Sequence, residues 1–167
     1  MKSIIIAASI VQIIPHLSEK RELPKSQNSV VANNCKDLSG NWKGSCNGSA
    51  EYTMLIEQQE CKYIDINKNF YLTPGDTTSE SNANPFAIQV FQDSSAWKPD
   101  GSLLVVNNEQ YSRFDYDIVR ESVMQVLTFD IVGNSLTIKS SGKKEKIARD
   151  GGVTIEYLGS DCIYYRQ

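Results

Sequence analysis

From Cys35 onward the chain is a series of short runs in which apolar and polar residues alternate, separated by turn-forming clusters, and no stretch keeps a helical period. Asn41–Cys46 reads as a first strand, and Asn47-Gly48-Ser49 as a hairpin-type turn. In Glu51–Gln58, Tyr52, Met54 and Ile56 alternate with Thr53 and Glu57. In Lys62–Asn67, Ile64 and Ile66 face one way and Tyr63 and Asp65 the other. Further strands are expected at Phe86–Gln92, Ser102–Asn107 and Gln110–Asp117, and at Val123–Val132 and Ser135–Ser140 around the Gly133-Asn134 turn. Val153–Leu158 and Cys162–Arg166 complete the set. Asp117–Gln125 has an ambiguous period that leaves room for one helical turn. The Ser-, Thr- and Asn-rich segment Thr73–Pro85 reads as a long loop, and Asp93–Gly101 as a second. The pattern predicts an all-β fold, an antiparallel meander barrel of about 8–10 strands, with a β-sandwich as the alternative.

The beginning of the chain departs from this pattern. Lys2 precedes an apolar run, Ser3–Ile14, that ends at Pro15, the arrangement of an export signal over residues 1–18. Residues 19–34 are polar, lack an apolar period and read as a flexible linker, so the folded domain is expected over 35–167. Four cysteines (Cys35, Cys46, Cys61 and Cys162) without a C-x-x-C spacing fit a disulfide framework, and with the leader they predict a secreted or periplasmic protein. Three pairings are open. A local Cys46–Cys61 bridge with a Cys35–Cys162 clasp between the ends of the domain is favoured. A net charge of −3 and a pI near 5.2 argue against nucleic acid as a partner. After the leader no apolar run is long enough for a transmembrane helix.

Asp37-Leu38-Ser39-Gly40-Asn41-Trp42 resembles the opening strand of the lipocalins and the wider calycin families, in which Gly-x-Trp recurs at the start of the first strand. The resemblance implies a lipocalin-like barrel in which Trp42 closes the base and an Arg near the last strand packs across its indole. Arg166 is in the right region for that role. Trp42 is structural on this reading.

Candidate chemistry is sparse. The sole histidine, His16, lies in or beside the leader, which removes the usual base of Ser and Cys triads and the commonest transition-metal ligand. No metal site, no cofactor and no enzymatic activity are expected. Asp115 and Asp117 share a strand face, but two acids on a solvated face are the ordinary case. Lys143-Lys144-Glu145-Lys146 reads as a hairpin tip. The expected function is binding, with a small apolar or amphipathic ligand held inside the barrel by Tyr52, Met54, Phe86, Ile88, Val90 and Phe129. Trp97 either joins them as an exposed anchor or folds back to plug one end of the barrel. The alternative is a secreted inhibitor or interaction module that meets an exported protein through its loops.

Overall fold

The computed structural model describes residues 34–113 and 118–167; the proposed signal, nearly all of the linker, and Asp115 and Asp117 lie outside them. Ten antiparallel strands form one strongly curled half-barrel sheet, and no described residue is helical. The strands are β1 (Gly40–Cys46), β2 (Tyr52–Gln59), β3 (Tyr63–Ile66), β4 (Phe70–Leu72), β5 (Thr77–Asn84), β6 (Ala87–Trp97), β7 (Leu103–Arg113), β8 (Ile118–Val132), β9 (Ser135–Ala148) and β10 (Val153–Arg166). In space they run β4-β3-β2-β1-β10-β9-β8-β7-β6-β5. The first strand pairs with the last, and the sheet ends at β4 and β5, which do not pair with each other. Residues 73–76 alone join those two edges. At about 3.3–3.6 Å per residue such a short connector holds the edges close together, so the sheet must curl round on itself.

Several expected loops are strand. Thr73–Pro85 contains β5, whose eight residues pair in unbroken register with β6, and Asp93–Gly101 is mostly the second half of β6. Asp117–Gln125 holds no helical turn among its described residues; it belongs to β8. Lys143–Lys146 is no hairpin tip: it lies within β9, paired on both sides. The turns were read more faithfully. Asn47 and Gly48 both have positive φ (50° and 73°), and Ser49 N donates to Cys46 O at 2.9 Å, as a type I′ turn requires. Gly133-Asn134 joins β8 to β9.

The disulfides also differ from the favoured pairing. They join Cys35 to Cys61 and Cys46 to Cys162. The reason is register. Cys46 stands directly opposite Cys162 in the β1–β10 ladder, whereas Cys61 sits in the β2–β3 turn within reach of the segment preceding β1. Two disulfides fit folding in an oxidising compartment.

The core occupies one end of the curl. Leu38, Trp42, Ile56, Ile64, Leu103, Val105, Leu136 and Cys162 are all but inaccessible, and they pack in one cluster with Met54, Leu127, Phe129 and Ile138. The segment before β1 closes this base from below. Lys36 N donates to Gly101 O at 3.0 Å, Lys36 Nζ pairs with Asp130 at 2.6 Å, and Gln58 Nε2 donates to Lys36 O. Trp42 Nε1 donates to Leu38 O at 2.9 Å, and the Arg166 guanidinium lies 4.9 Å from the Trp42 ring while Nη2 donates to Ser39 O. Trp42 and Arg166 therefore occupy the positions that the resemblance implied.

The tight curl needs close backbone approaches. A Cβ on Gly44 would overlap the Ile163 carbonyl oxygen and stand 2.6 Å from Tyr164 Cα, and one on Gly142 would overlap the Met124 carbonyl oxygen. Glycines at such points let a sheet bend sharply. Gly44→Ala is therefore expected to lower stability by about 3 kcal/mol, because β1 can no longer close against β10. Urea denaturation checks this; an unchanged midpoint would show that the ladder relaxes freely.

Candidate functional site

Only the base is closed. Strands β1–β4 are short, while β6–β10 run on well beyond them, so β5–β10 form an upper tier open on its concave side. Cross-strand partners share a face, which allows the concave surface to be read row by row. The lowest row, Trp97, Leu103, Phe129, Ile138, Cys162 and Cys46, belongs to the base. The next, Ser95, Val105, Leu127, Ser140 and Ser160, mixes apolar residues with hydroxyls, and Ser140 and Ser160 hydrogen bond at 2.8 Å. Above it, Thr78, Asp93, Asn107, Gln125, Gly142 and Leu158 form the floor of the open tier. Glu80, Phe91, Glu109, Val123, Lys144 and Glu156 follow. Apolar packing thus gives way to an amphipathic concave face within two rows.

The floor holds two polar groups in unusual settings. Asn107 Oδ1 is buried and accepts no hydrogen bond. Its partner across the ladder, Asp93, has its carboxyl pKa raised, first by burial and then by the negative charge of Glu109. Glu109 itself accepts from Gln89 Nε2 at 2.8 Å. An amide oxygen and two carboxyl groups therefore converge where β6 meets β7, an arrangement that favours a donor or a cation. The neighbouring lysines are committed elsewhere: Lys144 pairs with Glu121 at 2.6 Å, and Lys146 stands 3.9 Å from the same carboxylate. No group of three or more metal-ligating side chains occurs among the described residues.

The seven residues expected to line a pocket do not come together. Met54 and Phe129 are buried in the base. Trp97 packs against it and donates Nε1 to Cys61 O at 2.8 Å, so it folds back as a plug. Tyr52, partly exposed, sits opposite Gly44 at the rim of the base, and Phe86 is exposed in the β5–β6 turn. Ile88 and Val90 lie on the convex side, because Ala87 points inward and fixes the parity of β6. The base of the curl is occupied by the core cluster. A shallow open depression of about 340 Å³ is lined by Asn41, Trp42, Thr53, Met54, Leu55, Asn67 and Gln167, so Met54 borders it and the other six expected residues do not.

Sequence reasoning passed over Asp93, Asn107 and Glu109 because they fall in segments read as loop or strand end. Apolar and polar residues do not alternate across Ala87–Trp97, where Val90 and Phe91 are adjacent and Gln92–Ser95 are all polar, so no periodic signal marked Asp93. No helix among the described residues is long and apolar enough to cross a membrane. Compared with protein-family models, curated proteins and solved structures, the chain matches none of them.

Proposed function

We propose that the chain is an extracytoplasmic binding protein of lipocalin-like architecture that holds a small amphipathic ligand on the concave face of β5–β10. The reading is one of binding and not of catalysis. Its main support is the floor of the open tier, where Asn107 Oδ1 and the Asp93 carboxyl lie beside Glu109 above a solid base. Buried polar groups are normally hydrogen bonded, and an orphaned acceptor beside two acids matches a ligand that brings donors. Phe91, Val123 and Leu158 supply apolar surface in the same rows. The ligand that fits is an amphipathic amine or guanidine, its charge at the floor and its apolar part along those side chains.

Calorimetric titration with dodecylamine below its micellar concentration tests this. Saturable binding is expected, weakened at least tenfold by Asp93→Asn with Glu109→Gln, while dodecanoate binds poorly. Equal binding of amine and fatty acid, or of wild type and variant, would overturn it.

The same floor makes a prediction about stability. A carboxyl whose pKa is raised on folding favours the protonated fold, so Asp93's contribution is present below the ordinary value of 3.8 and is lost as pH rises through its raised folded value. Asp93→Asn is expected to flatten the fall in stability from about pH 4 to neutral and to leave the protein more stable at pH 7. Denaturation midpoints across that range check it. A parallel downward displacement at every pH would contradict the assignment.

A further inference from the structure

Among the described residues, the upper half of β10 is paired on one side and bare on the other. From Val153 to Ser160 it bonds β9 in unbroken register, but β1 accompanies β10 only over Cys162–Arg166. Asn47 ends the β1 ladder: its N–H donates to Asp161 O and its Oδ1 accepts from Asp161 N, each at 2.9 Å. In an antiparallel strand the N–H and C=O of one residue point to the same side, and successive residues alternate. Asp161 faces β1, so Gly159, Tyr157, Ile155 and Val153 direct their backbone groups to that same, unpaired side. Gly152 O accepts from Ala148 N and confirms that the even-numbered residues face β9.

The side chains on this edge fit a polypeptide. Tyr157 is 84% exposed, and Val153 and Ile155 are about half exposed, all on the convex face. Val153–Ser160 carries no proline, lysine or bulge, and Glu156 is its one charged residue. On the concave face Glu156 has no ion pair among the described residues, since Lys144 opposite it is held by Glu121.

We propose that the Val153–Gly159 edge of β10 receives an extended segment of a partner protein as an eleventh, antiparallel strand. The incoming strand carries a basic residue opposite Glu156, flanked by apolar residues that lie beside Ile155 and Tyr157. Main-chain bonds would supply affinity, and the alternating side chains selectivity. A second copy of the chain centred on this edge would instead set Glu156 against Glu156, which like-charge repulsion disfavours. The inference does not rest on the concave ligand site.

The probe is the peptide acetyl-TVRITV-amide, with a second version N-methylated at its Val and Ile residues and a third, acetyl-TVEITV-amide. In the free protein the amides of Val153, Ile155, Tyr157 and Gly159 should exchange quickly and their even-numbered neighbours slowly. Binding of the first peptide should slow those four and leave the rest unchanged, and the N-methylated version should not bind. Glu156→Lys should weaken the Arg peptide about fivefold, the size of one cross-strand charge pair, and strengthen the Glu peptide. Ile155→Pro, which removes an edge donor at a position proline tolerates, should abolish binding with the far-ultraviolet spectrum unchanged. Equal binding of the methylated and unmethylated peptides overturns the proposal. So does slow exchange of the four amides in the free protein, whether its own chain or a second copy covers them.

Discussion

Trp42→Ala is expected to lower the melting temperature by roughly 10–20 °C, the equivalent of about 3–5 kcal/mol. Trp42 is 1% exposed at the centre of the base, and no neighbour can collapse into the space its indole would vacate without disturbing Leu38 or Arg166. Three losses coincide. The cavity accounts for most of the effect, the Leu38 carbonyl loses its buried donor at 2.9 Å, and the Arg166 guanidinium loses its aromatic platform. Trp42→Phe separates these contributions, since it keeps most of the volume but neither the N–H nor the full ring face. It should cost about a third as much. Trp97→Ala is a useful comparison: that indole is only partly buried and ties down one turn, so its loss should matter less. A Trp42→Ala protein that melts within a few degrees of wild type would mean that the base is not organised around this side chain.

Removing the Cys46–Cys162 bridge should produce an effect of similar size. The two residues are 116 apart in sequence, against 26 for Cys35–Cys61. In the chain-entropy account the longer loop stabilises by about 4.9 kcal/mol and the shorter by about 3.5 kcal/mol. Position widens the gap. Cys46 and Cys162 are buried in the core cluster, where they join the first strand to the last, whereas Cys35 belongs to the segment beneath the base. Paired alanine substitutions therefore have an expected order. The Cys46/Cys162 variant should lose roughly 2 M in urea midpoint, for a slope of about 2 kcal/mol per molar, and the Cys35/Cys61 variant clearly less. The reverse order would locate the critical closure beneath the base instead of along the β1–β10 ladder.

Features decided by neighbouring residues were legible in the sequence. The Asn47-Gly48 and Gly133-Asn134 turns and the alternation in β2 follow from local chemistry, whereas the packing of Arg166 on Trp42 was what the resemblance implied. Strand length was not legible, for a physical reason. The upper tier buries little, so its strands carry Asn107-Asn108, Gly142 and Gly159 where a buried strand would carry branched apolar residues, and each of these reads as a break. Strand β5, with Thr, Ser and Asn at most positions, is held by its ladder to β6 and not by propensity. The Cys46–Cys162 pairing depends on register between strands more than a hundred residues apart. The candidate site depends on the parity of β6, where a shift of one residue exchanges Ile88 and Val90 for Gln89 and Phe91. Apolar character alone picks out Ile88 and Val90, which lie on the convex face.

The pairing of β1 with β10 also has a temporal consequence. A chain that is synthesised or exported from its N-terminus presents Cys35, Cys46 and Cys61 to an oxidant long before Cys162. Cys46 must wait unpaired while nearly the whole domain is made, with Cys35 and Cys61 as the available wrong partners. High contact order makes such closures slow. Correct maturation is therefore a competition between premature oxidation and arrival of the last strand, and the yield of native protein should respond to a disulfide isomerase more than to temperature.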